Sequence, residues 1–73
     1  MNAMTELTQI RNSGIPFEIE IWDDQYLVTL GPDPARPQVL ALTNSIQEAV
    51  CWLKEHVKVR YPNCAYSKRL LIN

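Results

Sequence analysis

Phe17-Glu18-Ile19-Glu20-Ile21-Trp22-Asp23-Asp24-Gln25-Tyr26-Leu27-Val28-Thr29-Leu30 is the stretch that decides the fold. From Phe17 to Trp22, Phe17, Ile19 and Ile21 share one face, and Glu18, Glu20 and Trp22 share the other. That period of two is the mark of a strand with one wet side. Tyr26 to Leu30 alternates again, with Tyr26, Val28 and Leu30 in phase. A two-residue turn at Asp23-Asp24 sets Ile21 opposite Tyr26, Ile19 opposite Val28 and Phe17 opposite Leu30. All six apolar side chains then fall on one face, and a slip of one residue would scatter them. The turn chemistry is weaker than Asn-Gly, so the apolar register carries the assignment.

Working outward, Gly31-Pro32-Asp33-Pro34-Ala35-Arg36-Pro37 holds three prolines in seven residues and is a loop. Gln38 to Thr43 forms a third strand, with Leu40 and Leu42 facing one way and Val39 and Ala41 the other; Val39 and Ala41 join the outer face if the leucines point inward. Ser45-Ile46-Gln47-Glu48 is a capping box. The helix it opens carries Ile46, Ala49, Val50, Leu53 and Val57 on one stripe and ends before Pro62. Upstream, Thr5 to Asn12 reads as a short helix with Leu7 and Ile10 on one face, stopped by Ser13-Gly14. Leu70-Leu71-Ile72 suggests a short C-terminal strand or a clasp. Met4 offers an alternative start, and Met1-Asn2-Ala3 are given no structural weight. The order is α-β-β-β-α: a two-layer α+β sandwich, one small domain, with a three-stranded antiparallel sheet and helices on one face.

The chain's 73 residues and 8.4 kDa exclude a two-domain enzyme and a solenoid. A core of this size supplies roughly 3–5 kcal/mol. No apolar run is long enough to span a membrane. Two cysteines, Cys51 and Cys64, are too few for a disulfide framework, and no signal peptide is visible, so a reducing cytoplasm is the expected setting. Net charge is −1, but it is polarised: residues 1–36 carry −4 and residues 37–73 carry +3.

Catalytic constellations are missing from the pattern. His56 lies mid-helix beside Trp52 and Val59 and reads as a packing residue, since a catalytic base needs an oriented neighbour. Cys51 and His56 are five apart and point about 140° away from each other on a helix, and no Cys-x-x-Cys pair exists. Neither a metal nor another cofactor is expected. Asp23 and Asp24 read as turn residues. No Gly-rich phosphate cradle is present.

The order α-β-β-β-α resembles the double-stranded RNA-binding domain, which opens its second helix with Lys-Lys-x-Ala-Lys. Here that stretch is Asn44-Ser45-Ile46-Gln47-Glu48-Ala49, so the resemblance implies topology and transfers no binding residue. The hairpin, third strand and Ser45-Ile46-Gln47-Glu48-Ala49 helix entry are also similar to small antitoxins of the HicB type. The Gly-rich turn and Pro-Gly segment of that family are missing.

The functional expectation rests on the sheet face away from the helices. It shows Glu18, Glu20, Trp22 and Leu27, with Asp23 and Asp24 at the hairpin tip. Large exposed apolar residues beside charge favour protein binding. A non-enzymatic interaction module is expected, binding another protein or itself as a homodimer. Its role would be that of an adaptor, an antitoxin-like factor, or a bacterial or phage (mobile-element) inhibitor of a host protein. The alternative is nucleic-acid binding through Lys54, Lys58, Arg60, Lys68 and Arg69, interleaved with Tyr61 and Tyr66.

Overall fold

The structure, a computed structural model, describes residues 2–72, with side chains through Arg69. Its elements are α1 (Ala3–Asn12), β1 (Phe17–Trp22), β2 (Gln25–Leu30), β3 (Val39–Thr43), α2 (Ile46–Arg60) and α3 (Ala65–Ile72). The strands form one antiparallel sheet in the order β1-β2-β3. Phe17, Val28 and Leu30 from the sheet join Ile10, Ala49, Leu53 and Val57 from the helices in one core. The α+β order read from the sequence is thus the order of the fold, followed by one further helix.

The hairpin has the register that the apolar pattern requires, including Phe17 opposite Leu30 and Trp22 opposite Gln25. Its turn places Asp23 at φ 54°, in the left-handed region where a Cβ is unfavourable. Glycine removes that penalty. Asp23→Gly is expected to raise stability by about 0.5–1 kcal/mol, and Asp23→Ala to lower it. Thermal melts check both, and a Gly variant that melts below the parent would refute this account of the turn.

One inward assignment needs correction, and the open phase of the third strand is decided. Ile21 lies on the helix-facing side but is 74% exposed, because the helices cover β2 and β3 and leave the outer end of β1 open. In β3 the leucine phase is the outer one. Val39, Ala41 and Thr43 pair with Leu30, Val28 and Tyr26 on the helix side, and Leu40 and Leu42 point away. Small Ala41 and β-branched Val39 are half-buried and pack against the core. The buried Thr43 hydroxyl donates to Tyr26 O at 3.1 Å, which ties the polar end of that phase to the sheet.

Helix α2 starts as its capping box predicts. Ser45 Oγ accepts from Glu48 N at 3.1 Å, and Glu48 Oε2 accepts from Asn44 N at 3.1 Å, one residue outside the usual partner. Ala49, Val50, Leu53 and Val57 are buried as the stripe requires. Helix α1 begins two residues before Thr5, because Asn2 Oδ1 accepts from Thr5 N at 2.8 Å and caps it. Residue 2 is therefore structural. At the other end Gly14 takes φ 80°, its N–H donating to Arg11 O at 3.0 Å, and Ile15 folds back into the core beside Ile10.

The C-terminal segment is a helix and not a strand. Cys64 caps it, its Sγ accepting from Ser67 N at 3.4 Å and its carbonyl accepting from Lys68 N at 3.0 Å. Polar bonds dock α3 on the other helices. The Tyr66 hydroxyl donates to Glu6 Oε2 at 2.6 Å, Tyr66 N donates to Ser13 Oγ at 3.0 Å, and the Ser67 hydroxyl donates to Val57 O at 3.4 Å. Lys54 Nζ lies 3.5 Å from Glu6 Oε1. Tyr66 is 1% exposed and Glu6 5%. Burial, followed by the bond to the Glu6 carboxylate, pushes the Tyr66 phenol far above its ordinary pKa.

Candidate functional site, the outer face of the sheet

The strand register lays out the face opposite the helices in three rows. Glu18, Thr29 and Leu40 form one, and Glu20, Leu27 and Leu42 the next. Trp22 pairs with Gln25, whose Nε2 donates to Asn44 Oδ1 at 3.1 Å. Adjacent strands lie about 4.8 Å apart, so the face divides by strand. On this face β1 presents Glu18, Glu20 and Trp22, β2 presents Thr29, Leu27 and Gln25, and β3 presents Leu40 and Leu42.

Leu40 is 60% exposed, Leu42 54% and Trp22 58%, with Leu27 half-buried between them. The Trp22 indole N–H donates to Glu20 Oε2 at 3.1 Å, so the ring is held along the acidic column. Asp23 and Asp24 are exposed at the hairpin tip and extend the negative edge. The residues expected from sequence, Glu18, Glu20, Trp22, Leu27, Asp23 and Asp24, are therefore brought together. Leu40 and Leu42 belong to the same face and were missed. Local alternation gives no signal for them, because Val39, Leu40, Ala41 and Leu42 are apolar on both phases of the strand.

Three basic residues of the C-terminal half are engaged within the chain. Lys54 faces α1 and pairs with Glu6, Lys58 Nζ lies 3.2 Å from Glu55 Oε1, and Arg60 donates to Pro37 O at 2.6 Å. Lys68 and Arg69 lie exposed on α3. Arg60 is part of a clasp on the proline-rich loop. There the Tyr61 hydroxyl donates to the Asp33 carboxylate, and Arg36 sits 4.8 Å over the Tyr61 ring and 3.6 Å from Asp33 Oδ2. The Tyr61 bond holds Asp33 below the usual carboxylate range, while burial and then Asp33 raise Tyr61. These shifts belong to a structural contact between the loop and the end of α2.

His56 stacks on Trp52 with ring centroids 4.0 Å apart, and its Nδ1 lies 2.9 Å from Trp52 O. The imidazole is thus placed by its own helix, with no carboxylate among the described residues bonded to it. Cys51 is exposed and Cys64 half-buried, and both are free thiols. Among the described residues no three His, Cys, Asp or Glu side chains converge, and no helix is long and apolar enough to cross a membrane. Compared with protein-family models, curated proteins and solved structures, the chain matches none of them.

Proposed function

We infer that the chain is a non-enzymatic protein-interaction module that docks its partner on the outer sheet face. The observation that carries this reading is the set Trp22, Leu27, Leu40 and Leu42, presented on a sheet whose opposite face already holds the core. Contiguous apolar surface beside charge on so small a protein costs solubility unless a partner covers it. The acidic column of Glu18 and Glu20, continued by Asp23 and Asp24, suits a partner with an apolar centre and a basic rim. An adaptor, an antitoxin-like factor and an inhibitor of a host protein would all work by such docking. Nucleic-acid binding has less support, since Lys54, Lys58 and Arg60 already have partners within the chain.

Trp22→Ala tests the reading, because a half-exposed indole at a strand end contributes little to the fold. The expected result is an unchanged circular dichroism spectrum and partner binding weakened about 30-fold, the effect of losing a hot spot worth roughly 2 kcal/mol. Pull-downs from host extract with parent and variant provide the comparison. Identical captured proteins and affinities would reject the face as a binding site. Retention on nucleic acid at low salt, lost on changing Lys68 and Arg69, would favour the alternative.

A further inference from the structure

The sheet has two edge strands, and they differ in charge. Self-pairing of β1 would set Glu18 against Glu20 of a second copy, a like-charge contact that disfavours it. Edge strand β3 holds Val39, Leu40, Ala41, Leu42 and Thr43, with no charged side chain and no proline. Such an edge is open to pairing with another strand.

Both layers of the molecule are apolar along this same edge. On the outer face stand Leu40 and Leu42. On the helix side, α2 runs alongside β3: Glu48, near its start, bonds Asn44 just after the strand, and Arg60, at its end, bonds Pro37 just before the strand. Residues 52 and 56 fall between these on the same i, i+4 column. The stacked Trp52–His56 pair, both half-buried, therefore borders the β3 edge, and Val59, one turn on from His56, is 78% exposed there.

We propose that two copies of the chain pair antiparallel through β3, about a two-fold axis at Ala41, to form a continuous six-stranded sheet. Leu40 of one copy then faces Leu42 of the other on the outer side, and the Trp52, His56 and Val59 flanks meet on the helix side. Spacing supports this arrangement. Helix α2 packs over both β2 and β3, so its axis lies about one strand spacing, ~4.8 Å, from the two-fold. The two α2 helices would be about 10 Å apart, within the range of packed helices. Isologous contact of this kind is the usual route to a homodimer. The acidic columns lie at the two far ends of the joined sheet, away from one another. The proposal deepens the interaction reading by naming a second copy as one partner, and it leaves Trp22 and the acidic column to another protein.

Sedimentation equilibrium from micromolar to several hundred micromolar tests it, with charge exchange at the outer contact. The parent is expected at twice its 8.4 kDa chain mass. Leu40→Lys/Leu42→Lys and Leu40→Glu/Leu42→Glu are each expected to run at the single-chain mass with unchanged circular dichroism, and their mixture to restore a one-to-one dimer. Val59→Glu, on the helix side, provides an independent variant with the same expected loss. A parent at single-chain mass throughout the range overturns the proposal. So does a dimer that survives both like-charged variants and Val59→Glu, since its contact then lies elsewhere. Trp22→Ala is expected to remain dimeric, so failure of partner docking and failure of self-pairing give different results.

Discussion

Tyr66→Ala is expected to leave the chain largely unfolded at 25 °C. Tyr66 is 1% exposed and links α3 to α1 through Glu6 and Ser13. Removing a buried aromatic ring costs about 3–5 kcal/mol, which is comparable to the whole stability of a domain this small, roughly 3–5 kcal/mol. The loss also leaves the buried Glu6 carboxylate with Lys54, 3.5 Å away, as its remaining side-chain partner among the described residues. Tyr66→Phe separates packing from hydrogen bonding. It retains the ring, removes the donor to Glu6, and is expected to cost about 1–3 kcal/mol. Urea unfolding measures both variants, and a Phe variant as stable as the parent would remove the Glu6 bond from the account.

The same residue predicts a response to alkaline pH. Its folded-state pKa lies above that of an unfolded tyrosine, near 10. The stability it contributes is therefore fully present below pH ~10 and is lost as pH rises further, because the unfolded chain releases the phenolic proton first. Tyr61 shifts in the same direction, so the parent alone does not isolate the effect. The difference between parent and Tyr66→Phe does. The parent is expected to lose stability more steeply above pH ~10, and parallel curves would contradict the assignment.

Leu53→Ala is the second large effect. Leu53 is 0% exposed and sits mid-stripe on α2 within the single core. Truncation leaves a cavity and is expected to cost about 2–5 kcal/mol, shifting the urea midpoint down or abolishing the transition. Leu53→Met, which conserves volume, is expected to cost less than about 1.5 kcal/mol. Leu40→Ala provides the contrast. Its side chain is 60% exposed, and on the monomer the change is expected to stay within about 0.5 kcal/mol. Leucines of β3 and α2 that exchanged these magnitudes would reverse the inward and outward assignment of the third strand.

Elements that carry their own periodicity were legible from sequence. The hairpin register follows from six apolar residues that share a face in only one alignment, and α2 follows from a capping box and a continuous stripe. The third strand was not, because Val39-Leu40-Ala41-Leu42-Thr43 is apolar on both phases and local alternation cannot choose between them. Pairing with β2, the packing of Val39 and Ala41 against the core and the bonds of the Thr43 hydroxyl make that choice.

Of the candidate site, the acidic column and Trp22 could be read directly, since Glu18, Glu20 and Trp22 alternate with core residues. Its apolar half depended on the phase of β3 and so on long-range pairing. The tail shows the same division. Leu70-Leu71-Ile72 suits a strand or a helix by composition, and the bonds of Tyr66 to Glu6, 60 residues earlier, and to Ser13, 53 residues earlier, accompany the helix. Sequence alone determined the α-β-β-β-α order, the hairpin register and the polarised charge, because each rests on neighbours along the chain. Tertiary structure decided which leucines face solvent, how far the helices cover β1 and where the C-terminal helix docks. Those outcomes depend on contacts between segments distant in sequence, whose packing no local pattern encodes.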